Sequence, residues 1–386
     1  MGTSLALALV LAPLQGASPP PIDTDAALRR GAALLVERQE DLSDPAAKEP
    51  AEWPYEGVYR ERGAIPPGYR VGGTAIGALA LLLAAPRDEA NAAAVHEALR
   101  RALNFVLREV DGEHLKAAFR GSYDVRGWGQ AYALEFLLRW RSTAAPDDPQ
   151  RPTVDRAIQD LIVRLETTTL SKGGGWNYAR AQGPQSPASP FMTAPILLAL
   201  FDARAQGFAV DTDIVEAALD GLAKGRAEDG AFAYTSQPSA DAWQGAIGRS
   251  PIAELALYLG GRGDTARIEF ALERFFEHWE WLEKRRKGTG THVPPYGVAP
   301  YYFFYAHAYA GFCIEHLDEG RRAPLRRQLL ERLAEVREPS GGWNDRVFPR
   351  SESFGTAMAM WAMVAPALPA RAAWVKEPAA APARDS

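Results

Sequence analysis

A single cysteine, Cys313, stands in a chain of 386 residues, so no intramolecular disulfide framework and no multi-thiolate zinc or iron–sulfur site is open to it. Set among Ala310-Gly311-Phe312 and Ile314, this thiol is expected to pack as a small hydrophobe. Long basic runs are missing too. Lys and Arg number 43 against 48 Asp and Glu, a net charge of −5, which excludes nucleic acid or an anionic membrane surface as the main partner, because both reward a basic face. The apolar stretch Leu5–Leu14 has ten residues, too few for a bilayer span of roughly 20. Strand-type alternation is absent at length. What remains, 47% hydrophobic and 24% charged residues, is the composition of a folded globular chain.

The ends differ from the middle. Residues 1–21, with the Leu5–Leu14 stretch and Pro19-Pro20-Pro21, suit a secretory leader, although no Lys or Arg precedes the apolar part. An exported protein, periplasmic or extracellular, with no integral membrane segment after processing is therefore expected. From 367 to 386, Ala, Pro and Arg dominate, and no fixed structure is expected. The folded domain should span 22–366.

Within it a phrase recurs at the head of apolar runs: Gly73-Thr74-Ala75 before Ile76–Leu83, Met192-Thr193-Ala194 before Pro195–Phe201, and Gly355-Thr356-Ala357 before Met358–Val364. Gly129-Gln130-Ala131 and Ser250-Pro251-Ile252 open two more, and the aromatic run Pro300–Ile314 makes six. Each is apolar nearly all round, as a helix buried on every side should be. Ahead of each lies an amphipathic partner. In one of them Val154, Ile158, Leu161, Ile162 and Leu165 form one stripe of a 3.6-residue helix.

Six pairs of one half-exposed and one buried helix predict an all-α fold, an (α/α)6 toroid with an inner ring and an outer ring. Closing the row into a circle removes the apolar ends that an open stack would have to cap. Six inner helices about 10 Å apart leave a lumen about 10 Å wide once a helix radius of about 5 Å is subtracted.

The loops between the two helices of a pair are rich in Gly, aromatic and amide residues: Gly173-Gly174-Gly175-Trp176-Asn177-Tyr178, Asp229-Gly230-Ala231-Phe232-Ala233-Tyr234, Gly341-Gly342-Trp343-Asn344-Asp345, and the looser Trp53-Pro54-Tyr55 and Phe119–Asp124. Together with the Thr-Ala heads, these loops resemble those of the prenyltransferase and squalene-oxidase repeat family, the α/α toroids that include terpenoid cyclases and protein prenyltransferase β subunits. The resemblance covers about residues 24–366. It implies the toroid but not an activity, because the family's catalytic signatures are missing. Where cyclases carry the proton donor of Asp-x-Asp-Asp-Thr-Ala, this chain has Gly72, Phe191 and Phe354. Where prenyltransferases hold zinc through an Asp-Gly-Cys-like phrase, Asp229-Gly230 is followed by Ala231. No metal site and no cofactor are expected.

Candidate site residues lie at the expected mouth of the ring. His292, in a Pro-rich loop, suits acid/base work, although nothing beside it in sequence orients it. Asp124, Asp345 and Glu352 are the acidic candidates. Tyr123, Trp128, Trp176, Asn177, Tyr178, Tyr234, Tyr296, Tyr301, Tyr302, Trp343 and Asn344 could form an aromatic and amide wall for an apolar, cationic or sugar-like ligand. The reading is a toroid that binds a small molecule, isoprenoid, carbohydrate or partner in an aromatic central pocket. Two alternatives are a polysaccharide lyase or hydrolase on the same toroid, with His292 or a Tyr as base, and an isoprenoid-processing enzyme whose acid has moved. A lumen filled by the protein's own rings would point instead to a scaffold.

Overall fold

Aspartates punctuate the outer helices. Asp23, Asp211 and Asp264 each accept a backbone N–H from the first turn of the helix that follows, at 2.9 to 3.2 Å, and so satisfy donors that a helix start leaves orphaned. The computed structural model describes residues 21–44, 46, 48–84, 91–116, 125–170, 174–177, 188–234 and 242–376.

Among these the outer helices are α1 (Thr24–Glu37), α3 (Ala92–Asp111), α5 (Arg151–Thr167), α7 (Thr212–Lys224), α10 (Thr265–Glu277) and α13 (Glu319–Glu335). The inner ones are α2 (Pro67–Ala84), α4 (Arg126–Thr143), α6 (Pro190–Ala205), α9 (Ser250–Leu259), α12 (Tyr302–Ile314) and α14 (Ser351–Val364). Two short helices, α8 (Trp243–Ala246) and α11 (Trp279–Glu283), interrupt the connections before α9 and α12. No β-strand occurs among the described residues, only isolated bridges. The inner helices touch in the order α2, α4, α6, α9, α12, α14, and α14 returns to α2. This closes the ring, as the pattern of half-buried and fully buried runs predicts.

One packing unit repeats around the ring. The Thr74 hydroxyl accepts the backbone N–H of Trp53 at 2.9 Å, while the Trp53 indole donates to Leu35 O at 2.7 Å. Thr193 and Trp176 do the same toward Leu165 O, as do Thr356 and Trp343 toward Leu333 O. Ser250 takes the threonine's place beneath Phe232, at 3.3 Å. Each Thr-Ala head and its loop aromatic thus form one unit that ties the outer helix, the loop and the next inner helix together. Glycine lets the chain enter the unit. Gly175 and Gly341 have φ of +82° and +89°, where a side chain is strained.

The lumen is not open along its length. Rings from facing helices fill its middle: Phe191 stacks on Tyr305 at 4.1 Å, Tyr309 donates to Tyr132 at 3.4 Å, and Tyr132 lies 6.0 Å from Trp361. The expected central pocket is therefore displaced to the mouth, because these rings plug the bore; the neighbouring α2 and α4 also pack closely. A Cβ on Gly72 would stand 2.3 Å from the Trp128 ring, and Gly129 abuts the Gly68 backbone.

Residues 366–376, where the composition suggests no fixed structure, instead form a strap across the opposite end of the ring. Arg371 pairs there with Glu135 and Asp202, and Trp374 is buried. The Leu5–Leu14 stretch lies outside the described residues. No helix among the described residues is long and apolar enough to cross a membrane.

Candidate functional site

The inner helices run parallel, so their N-terminal ends and the preceding loops gather at one mouth. There a cleft is walled by Tyr55, Tyr59, Tyr69, Val125, Trp128, Phe191, Tyr301 and Phe354. It encloses about 440 Å³ of empty space, counting the part open to solvent, and little of this is wide enough for water. The rings contact one another edge-on or tilted: Tyr55 to Phe354 at 4.6 Å, Tyr69 to Trp128 at 5.5 Å, Phe191 to Tyr301 at 5.2 Å. Phe191 and Phe354, each two residues before the threonine at the head of its inner helix, line this cleft.

Two polar groups flank it. On one side His292 Nε2 lies 3.0 Å from the Tyr301 hydroxyl and 3.2 Å from that of Tyr302. Tyr234 packs edge-on against the imidazole at 4.6 Å and hydrogen-bonds Tyr301, and Arg249 reaches Tyr302. Burial lowers His292 to about 4, helped by Arg249 and Arg346, so it is neutral at physiological pH. Burial also pushes Tyr301 and Tyr302 up, keeping both phenols protonated. Although its immediate neighbours are uninformative, His292 is oriented after all, by tyrosines nine and ten residues on.

On the other side Tyr55 donates to Asp345 Oδ2 at 3.2 Å and accepts from Arg346 Nε at 3.1 Å. Asp345 is fully buried, and its Oδ1 has no hydrogen-bond partner among the described residues. Burial pushes its carboxyl up to about 7 against the opposing pull of Arg346. Arg346 lies 5.8 Å from the Tyr301 ring and so links the two groups.

Trp128, Tyr301, Tyr302, Tyr234 and His292 are thus brought together, with Asp345 behind the wall. Other expected site residues do different work. Trp176 and Trp343 are buried in the repeated packing unit, not in the cleft, because their indoles span to the outer helices. Asn344 caps its own loop through Phe348 O and the Arg346 N–H, and Asn177 lies beside Gly127. Tyr296 lies half-buried against Trp281 at 4.7 Å, outside the cleft wall. Glu352 pairs with Arg38 at 2.7 Å and accepts from Ser340, away from the cleft. Tyr123, Asp124 and Tyr178 lie outside the described residues. Tyr55, Tyr59, Tyr69, Arg249 and Arg346 join the site unforeseen. The Trp53-Pro54-Tyr55 loop was the one signal for them.

No three His, Cys, Asp or Glu side chains among the described residues are grouped to hold a metal ion. His307 in particular is internal to the packing, its Nε2 accepting from the Trp279 indole at 2.8 Å.

No family model matches the sequence, and no curated protein matches it. Among solved structures, the chain is similar to the GH76A α-1,6-mannanase of Salegentibacter, with 12% identity and a TM-score of 0.52 over 88% of this chain and 99% of that one. It is also similar to a possible GH105 member from Salmonella enterica serovar Paratyphi A, with 12% identity and a TM-score of 0.50 over 94% and 99%. Both likenesses establish the α/α toroid fold. They do not reach the terpenoid cyclase and prenyltransferase family.

Proposed function

We propose that this chain is an exported ligand-binding toroid whose aromatic cleft offers its rim as a stacking surface for an uncharged, ring-shaped ligand, a sugar residue of a glycan chain, which enters only as the edge-on rings of the wall part. The observation that supports this is the cleft wall, seven aromatic side chains and one valine, with no carboxylate among them. Ring faces offer stacking surfaces and the tyrosine hydroxyls offer donors and acceptors. The groups around the wall leave no free charge for a ligand: His292 and Tyr301 are held uncharged, Asp345 is buried behind Tyr55, and the guanidinium groups of Arg249 and Arg346 are buried and donate to Phe232 O, Gly245 O, Gly290 O and the Tyr55 hydroxyl.

Isothermal titration with α-1,6-linked mannooligosaccharides and, separately, with farnesol tests this reading. Sugar binding lost in Trp128→Ala and Tyr301→Ala supports it. Uptake of farnesol with no response to any neutral oligosaccharide would replace it with the isoprenoid reading.

A second reading, a glycoside hydrolase, draws on Asp345 near half-protonation at neutral pH and on the two fold neighbours. Release of reducing ends from α-1,6-mannan, abolished in Asp345→Asn, would establish it.

A further inference from the structure

The strap at the base of the ring is held like a bound peptide. Over Leu368–Trp374 the three large anchoring side chains are Leu368, Arg371 and Trp374, with Ala372 half-buried beside Arg371, while Pro369, Ala370 and Ala373 are exposed. A period of three is the spacing of an extended polyproline-type chain, which presents every third residue to one groove. Leu368 itself has extended backbone, with φ −92° and ψ 150°.

Each anchor meets a receptor built by the ring. Leu368 packs on the hydrophobic core. Arg371 enters between Glu135 of α4 and Asp202 of α6, with its guanidinium 4.9 Å from the Phe312 ring of α12. The Trp374 indole lies 5.6 Å from Phe201, is covered by the Arg204 guanidinium at 4.5 Å, and donates to Glu216 at 2.9 Å. Main-chain bonds fix the register: Ala372 N–H to Asp202 at 3.2 Å and Trp374 N–H to Leu259 O at 2.9 Å. Receptor and strap are also complementary in charge, with Lys376 adding a second cation on Glu216 at 2.7 Å.

The contact is carried by these anchors and is not continuous. A cavity with about 810 Å³ of empty space, part of it open to solvent, runs beside the strap between α2, α4 and α6, and Arg371 Nε is buried without a partner among the described residues. A segment held by discrete anchors beside a void can be exchanged.

We infer that the base of the toroid is a docking groove for an extended peptide reading Leu-x-x-Arg-x-x-Trp, filled in this chain by its own C-terminal segment. The occupant is this segment itself, so the same groove takes it from a second copy of the chain when the strap is displaced. This inference is independent of the cleft, from which the aromatic plug separates it.

The test uses the full chain carrying Arg371→Ala and Trp374→Ala, which frees the groove, and a fluorescein-labelled peptide of residues 366–376. Anisotropy should show the peptide binding this variant at least tenfold more tightly than wild type. Peptides bearing Arg371→Ala or Trp374→Ala should lose most of that binding, as should a chain that also carries Asp202→Asn. Equal binding to wild type and variant, or none to a variant of native helical content, overturns the inference. Should the double variant not fold, a protease site placed at the exposed Pro366-Ala367 pair gives a nicked native chain. Exchange of its strap for excess labelled peptide, followed by mass spectrometry, supports the groove, and a strap that never exchanges refutes it.

Discussion

Thr356 Oγ1 accepts the backbone N–H of Trp343 at 3.0 Å, across thirteen residues of chain, in a fully buried setting. Replacing this hydroxyl by a methyl group leaves a buried amide unsatisfied, which costs about 1–3 kcal/mol. Thr356→Val should therefore melt well below wild type. Thr356→Ser should lie close to wild type, because Ser250 performs the same task beneath Phe232. Thermal unfolding followed by circular dichroism checks both.

Gly72→Ala should damage stability and cleft together. The added Cβ would stand 2.3 Å from the Trp128 ring, and overpacking of this kind costs about 1–3 kcal/mol. Because Trp128 lines the cleft, ligand binding should weaken more than in a core variant of equal stability, as calorimetry on matched variants would show.

Asp345 makes stability depend on pH in an uncommon direction. In the unfolded chain it ionises near its ordinary 3.8, whereas burial holds the native carboxyl protonated up to about 7. Between these values the folded state keeps a proton that the unfolded state has released, so this group's contribution to stability falls as pH rises from about 4 to 7. Asp345→Asn should remove that loss. Relative to wild type, the variant should gain melting temperature steadily from pH 4.5 to 7.5, and a constant difference would refute the assignment.

His292 and His307 work the opposite way. Both are lowered from 6.5 to about 4, chiefly by burial, so the unfolded chain binds protons that the native chain refuses. Their contribution rises with pH through the interval from 4 to 6.5. His307→Leu should flatten that rise. It should also destabilise by about 1–3 kcal/mol, because the Trp279 indole N–H loses its acceptor in a buried site. Melting curves across this range separate the two effects.

Much of the architecture was legible in the chain. Outer helices showed stripes such as Val154 to Leu165, and inner ones showed unbroken apolar runs, since a helix enclosed on all sides has no wet face to encode. Helix starts were less legible. The first inner run is apolar from Ile76, yet the helix begins at Pro67, because Gly68, Gly72 and Gly73 are poor helix formers retained where a neighbouring backbone or the Trp128 ring comes close.

The site was legible only in part, and for the same reason. On α12, Tyr305, Tyr309 and Phe312 share a lumen-facing stripe, while Phe303 turns toward Trp279 at 5.8 Å. Both faces are aromatic, so hydropathy could not tell lumen from wall. Trp176 and Trp343 looked like ligand-binding rings because a loop tryptophan reads alike whether it stacks on a ligand or spans to a neighbouring helix.

By itself the sequence determined the helix class, the number of pairs and the closed ring, because these follow from local periodicity and from the need to bury every apolar run. Whether the ring would hold a bore, which rings would meet at the mouth, and where the C-terminal segment would lie were settled only by the tertiary fold. Those outcomes depend on distances between residues far apart in the chain: Gly72 under Trp128, Tyr55 against Asp345, Arg371 between Glu135 and Asp202. Periodicity along a chain carries no measure of how closely two helices approach, and that approach decides whether a side chain becomes plug, wall or anchor.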